Sequence, residues 1–202
     1  MKRLIVLVLL VLPLAAGCSG SLKVGGDPPP GGVPACGPVR GQKADAFGPG
    51  LVLIAQSVTS ATQLPCIRAL PVGWTFRKLE ATDQRARYWL DYDRDGDQAL
   101  RVSLTESCDT TRAAETASAQ PGIRRYEKVK VAVPGYHGDR YFVFAGGCVT
   151  QHFNFGGQTG PEALRSLSAS LDFVSRAAVA QYMHRYSRGH FELDADSATG
   201  SK

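Results

Sequence analysis

Acidic residues recur at alternate positions in Asp91-Tyr92-Asp93-Arg94-Asp95-Gly96-Asp97, around a single glycine. This is the pattern of the first half of a calcium loop, because Ca²⁺ takes several oxygen ligands around a tight turn. The second half departs from it. The position that should carry a bidentate glutamate is Val102, Arg94 lowers the local negative charge, and the flanks read as strands where an EF-hand has helices. A solvated hairpin turn is the plainer reading, with weak calcium binding through Asp91, Asp93, Asp95 and Asp97 as the alternative. No other cofactor is expected.

The remaining candidate chemistry is sparse. His137, His152, His184 and His190 form no His-Glu-x-x-His pair, although His184 and His190 lie near Asp194 and Asp196. Thr150, His152 and Asn154 alternate and so share one face of a strand, either lining a cleft or meeting solvent. Neither Gly-x-Ser-x-Gly nor Ser-x-x-Lys occurs, and Asn154–Gly160 has the glycines of a phosphate loop without its Lys-Ser/Thr end. No residue is assigned a catalytic role on this pattern.

The five cysteines carry more. Lys2 and Arg3, the apolar run Leu4–Leu12, and Leu14-Ala15-Ala16-Gly17-Cys18 follow the order of a lipoprotein export signal. The run is shorter than the about 20 residues that span a bilayer. A lipobox has Leu, Val or Ile three positions before its cysteine; here Ala15 stands there and Leu14 one step further out. The expectation is a signal peptide over 1–17, cleavage before Cys18 and lipid on Cys18, with the mature chain held on the extracytoplasmic face of the cell membrane. An ordinary cleaved signal and an uncleaved anchor are the alternatives. In that compartment Cys36, Cys66, Cys108 and Cys148 read as two disulfides. Three connectivities are open. Cys108–Cys148 is favoured because it joins the end of one predicted strand to the start of another, leaving Cys36–Cys66 by elimination. Intervals of 30, 42 and 40 residues, with no Cys-x-x-Cys, argue against zinc.

Net charge is +5, lowered by two to +3 when Lys2 and Arg3 leave with the leader. So mild an excess argues weakly for anionic headgroups or an acidic polymer and not for nucleic acid. A Pro/Gly-rich tether is expected over 18–49, one α+β domain over 50–188 and a flexible tail over 189–202.

Positioning elements follow from periodicity. Leu51–Ser57 reads as a buried strand on the strength of Val52 and Ile54, and Leu64–Trp74, with prolines near both ends, as a constrained connection. Thr75–Thr82, Arg85–Tyr92 and Ala99–Glu106 alternate as strands, with Asp95-Gly96 as a hairpin signal. Cys108–Gly122 suggests a short helix capped by Asp109 or Thr110. Strands resume at Arg124–Val133, Arg140–Ala145 and Cys148–Phe155, joined by links too short for parallel crossovers. Thr159 with Glu162 forms a capping box, Ala163, Leu164, Leu167 and Leu171 recur at helical spacing, and Ser175 starts a second helix carrying Val179, Tyr182, Met183 and Tyr186. The expected fold is an antiparallel meander of about five to six strands, one face covered by two C-terminal helices.

Leu64-Pro65-Cys66-Ile67-Arg68-Ala69-Leu70-Pro71-x-Gly73-Trp74, the Leu90-Asp91-x-Asp93-Arg94 hairpin and Arg140-Tyr141-Phe142-Val143-Phe144-x-Gly146-Gly147-Cys148-Val149-Thr150 resemble a family of exported or lipid-anchored proteins of high-GC Gram-positive (actinobacterial) bacteria. The resemblance spans about Leu51–Tyr186. It implies an extracytoplasmic compartment and supplies no ligand or catalytic residue. The expected function is a lipid-anchored binding or accessory protein of the cell envelope, its partner an envelope polymer or a membrane protein. The alternatives are an envelope-polymer hydrolase or transferase whose site the fold assembles, and a calcium-stabilised module.

Overall fold

Apolar side chains at positions 51, 54, 55 and 58, with Pro49 at the helix start, make α1 (Pro49–Ser57) the first element of the computed structural model. The structure describes residues 32–37, 47–157 and 160–194; the leader, Cys18 and Thr159 lie outside them. The strand expected over Leu51–Ser57 is therefore corrected to a helix. A strand would bury alternate residues, whereas Leu51, Ile54 and Ala55 are fully buried and Leu53 is 52% exposed. The β preference of Val52 and Ile54 is a weak bias that this helical stripe overrides, since each fully buried Leu or Ile contributes roughly 2 kcal/mol.

The sheet contains β2 (Trp74–Thr82), β3 (Arg85–Tyr92), β4 (Gly96–Thr105), β5 (Ala114–Thr116), β6 (Arg124–Val131), β7 (Tyr136–Phe144) and β8 (Gly147–Phe155). All pairs are antiparallel, in the order β2-β3-β4-β8-β7-β6-β5. The expected simple meander is thus corrected. Two runs of sequential neighbours meet where β8 pairs with β4, and the segment after β4 crosses to the far edge before the chain works back. The helix expected within Cys108–Gly122 is absent among the described residues. Asp109 Oδ1 instead accepts from the Thr111 N–H at 2.8 Å, an Asx-turn, and Ala114–Thr116 pairs with β6.

A second, two-stranded sheet pairs β1 (Gln63–Ile67) with β9 (Leu171–Ser175). Gln63 faces Ser175 and Ile67 faces Leu171. Both strands correct the sequence reading, which had a connection at 64–74 and helical periodicity running on to Leu171. α2 (Gly160–Ser168) stops earlier because Leu171-Asp172-Phe173-Val174 finds β1 as a partner far back in the chain. Pro65 lacks an N–H, which β1 tolerates because positions 65 and 67 turn their backbone to the edge away from β9, where the Ile67 N–H meets Pro34.

One face of the large sheet is covered by α1 over β2 and β3, by the β1–β9 ribbon, and by α2 against β8. α3 (Arg176–Tyr186) packs on β9 and α1, so the expected pair of C-terminal helices on the sheet is corrected to α1, the ribbon and α2. Ser175 caps α3, its hydroxyl accepting from the Ala178 N–H at 3.2 Å. Leu90, Leu100, Leu104, Val149, Phe153 and Phe155 fill the core beneath these elements. The opposite face is less bare than alternation suggests: Trp89 is buried there under Lys78 and Arg87, 4.4 and 5.5 Å from its ring.

Both favoured disulfides are present, Cys36–Cys66 with Cα atoms 4.9 Å apart and Cys108–Cys148 with Cα atoms 5.9 Å apart. Residues 32–37 of the expected tether are docked: the Cys36 N–H donates to the Ile67 carbonyl, and the Ile67 N–H to that of Pro34. The start of the expected tail is tied down too, since the Asp194 N–H donates to Gln56 Oε1 and Arg176 Nη2 to the Asp194 carbonyl. Gly146, at φ +70°, turns β7 into β8 with no room for a Cβ against the Ser60 carbonyl. Among the described residues no helix is long and apolar enough to cross a membrane.

Candidate functional site: a polar chamber on the inner face of the sheet

Strand register places Tyr88 of β3, Val102 of β4, Gln151 of β8, Arg140 of β7 and Glu127 of β6 in one row across the sheet. Val102 and Tyr88 belong to the core, so the whole row faces inward. On the β8–β7–β6 side that inner face is polar. Here the covering layer is the ribbon, through Pro65, Leu171, Asp172 and Phe173, with Ser168 at the end of α2 and Ser118, Ala119 and Gln120 from the segment before β6. They enclose a cavity of about 130 Å³ whose floor is Tyr88, Gln151, Arg140, Phe142 and Arg125.

Three buried polar atoms in this lining have no partner among the described residues: Tyr88 Oη, Gln151 Oε1 and Arg125 Nε. Tyr88 and Gln151 are 1% and 4% exposed. A buried polar group without a hydrogen bond costs about 1–3 kcal/mol, and most such groups in native proteins are satisfied. Three of them around one cavity give it hydrogen-bonding capacity that no described protein group uses. Burial pushes the Tyr88 phenol far above its ordinary range, so it is a neutral O–H, able to donate or accept.

The charged part of the wall is only partly compensated, two guanidiniums sharing one carboxylate. Glu127 Oε2 accepts from Arg125 Nη2 at 3.0 Å and from Arg140 Nε at 3.1 Å, and Oε1 from the Tyr136 hydroxyl at 3.2 Å. Burial opposes ionisation of Glu127, yet the Arg140 charge and these hydrogen bonds together hold its carboxyl below the usual range. Burial lowers the Arg140 pKa, with Glu127 opposing. Arg140 Nη1 donates to Ser168 Oγ at 2.6 Å, and Ser168 donates to the Leu164 carbonyl. At the other end Asp172 is held by Arg68 and by Gln120 Nε2 at 2.6 Å. A second, more open cleft of about 340 Å³ lies behind the Arg125–Arg140–Ser168 wall, between α2 and β6–β7, and is bounded by Glu127, Tyr136, Leu164 and Arg165.

The residues singled out by sequence lie elsewhere. Asp91, Asp93, Asp95 and Asp97 sit at the β3–β4 hairpin, and their carboxylates are largely engaged. Asp91 Oδ1 accepts from the Gln98 N–H at 2.6 Å, and Arg77 bridges Asp91 and Asp97 at 3.1 and 2.9 Å. Asp95 Oδ1 accepts from the Gly157 N–H at 2.8 Å, while its Oδ2 is buried with no partner among the described residues. Among the described residues no three His, Cys, Asp or Glu side chains converge as a metal centre needs. His184 approaches Glu192 at 3.6 Å, and Asp196 lies outside the described residues, as does part of the 154–160 loop.

Thr150, His152 and Asn154 share the outer face, opposite the chamber. There His152 Nδ1 is 2.7 Å from Asp139 Oδ1, and Lys130 reaches Asp139 Oδ2 at 2.6 Å. Burial opposes ionisation of Asp139, and the bonds from Lys130 and His152 outweigh it. His152 lines neither the chamber nor the adjoining cleft.

Sequence reasoning missed Gln151, Arg140, Arg125 and Tyr88 as site residues. The signal was present as an interruption: Gln151 breaks the apolar series Val149, Phe153, Phe155, and Arg140 stands in register with Phe142 and Phe144. A polar side chain at a core position is the informative exception in a strand. The chain matches no protein-family model, no curated protein and no solved structure.

Proposed function

We propose that the chain is a lipid-anchored, extracytoplasmic binding or accessory protein of the cell envelope, whose ligand occupies the chamber between the sheet and the β1–β9 ribbon. The observation that carries this reading is the set of three buried atoms without a partner among the described residues, Tyr88 Oη, Gln151 Oε1 and Arg125 Nε, around one cavity. Two disulfides and the leader ending at Cys18 support the compartment. Native mass spectrometry of the full-length protein extracted from its own membrane tests both parts. The expected result is an acylated chain lacking residues 1–17, carrying a small noncovalent ligand that Gln151→Leu releases. An unprocessed chain starting at Met1, or one with no bound molecule, overturns the reading.

An envelope-polymer hydrolase or transferase is the second reading, favoured by the His152–Asp139 pair at 2.7 Å, the geometry of an oriented general base. It ranks below binding because Asp139 is shared with Lys130 and the pair lies across the sheet from the chamber.

A further inference from the structure

Arg125, Arg140 and Ser168 form a wall with a chamber on each side, and the two sides differ in chemistry. On the inner side Gln151 Oε1 can only accept and Arg125 Nε can only donate, while the Tyr88 hydroxyl does either. Ligand hydroxyls, each both donor and acceptor, are complementary to every one of the three. Phe142 and Phe173, with ring centroids 5.3 Å apart, give the same cavity an apolar side suited to C–H groups. On the outer side Arg125, Arg140 and Arg165 stand against Glu127, the one acidic group among the described lining residues. That surplus of positive charge calls for an anion. Size sets the arrangement, because about 130 Å³ is below the 300–1,000 Å³ of a typical ligand pocket, whereas the outer cleft of about 340 Å³ falls within it.

From this we infer that the ligand is a carboxylate-bearing sugar. Its hydroxylated edge enters the inner chamber, and its carboxylate stays in the outer cleft against the arginines. The Arg140–Ser168 hydrogen bond divides the two spaces. A ligand occupying both displaces that bond and turns the freed side of the Arg140 fork onto the carboxylate, while Arg140 Nε keeps Glu127. The inference rests on the binding reading above.

Titrating the full-length protein with free glucuronate, glucose and acetate, followed by calorimetry and by the Gln151 side-chain amide resonance, tests it. Glucuronate is expected to bind at least about tenfold more tightly than either glucose or acetate, a difference of about 1.4 kcal/mol. Arg165→Ala, at an exposed position, should weaken glucuronate several-fold and leave glucose unchanged, and added salt should act in the same direction. Equal affinity for glucuronate and glucose, both moving the Gln151 resonance, overturns the acidic-sugar inference while leaving the chamber a binding site. Glucuronate that fails to move that resonance also overturns it, and the retained ligand sought by native mass spectrometry then decides the binding reading separately.

Discussion

Arg140 and Glu127 face each other across β7 and β6, with Arg140 Nε donating to Glu127 Oε2 at 3.1 Å on the inner face of the sheet. Arg140 is only 7% exposed, so this carboxylate is what permits a guanidinium among core residues. Glu127→Gln should cost about 2–3 kcal/mol, since it leaves two arginines without their counter-charge. Urea unfolding checks the loss.

The same carboxylate gives a pH signature. The Glu127 pKa is lowered on folding, so its contribution is complete above the ordinary glutamate value of 4.5 and fades as pH falls through the lower folded value. Wild-type stability should therefore decline over that acid window more steeply than that of Glu127→Gln. Parallel pH profiles would contradict the assignment.

Helical packing of α1 predicts opposite outcomes at adjacent positions. Ile54→Ala, at a fully buried site, should cost about 2–5 kcal/mol, whereas Leu53→Ala should change stability by less than about 0.5 kcal/mol. Leu51→Ala should cost as much as Ile54→Ala, and thermal or denaturant melts of Leu51→Ala and Leu53→Ala distinguish the helix from a strand, in which residues 51 and 53 would share one face.

Cys36–Cys66 closes a loop of 30 residues and fastens residues 32–37 onto β1. Replacing both cysteines by alanine should lower stability by about 3–4 kcal/mol on the chain-entropy account. It should also expose the 32–37 backbone to hydrogen exchange.

Arg77 already neutralises Asp91 and Asp97 at the β3–β4 hairpin. Millimolar calcium should leave the melting temperature unchanged. A rise that Asp93→Ala and Asp95→Ala abolish would instead establish a calcium-stabilised module.

What the sequence discloses depends on how far apart the partners lie. Strands β2, β3, β4, β6, β7 and β8 are visible as alternation because most of their neighbours are joined by short turns. The Cys108–Cys148 pairing follows from the same strands, since Thr105 and Cys148 are register partners at the β4–β8 seam. β1 and β9 are hidden: each is stabilised by the other across more than half the described chain, and Pro65 disguises the first. The chamber is hidden for a related reason. Tyr88, Gln151, Arg140 and Arg125 come from four strands, and only the register shows that three of them occupy one row with Arg125 beside it.

The chamber's contents are the most direct test. A high-resolution crystal structure of the full-length protein purified from its native source should show a non-water molecule hydrogen-bonded to Gln151 Oε1 and Tyr88 Oη. A chamber holding only ordered waters that bridge Gln151, Tyr88 and Arg125 would contradict the account.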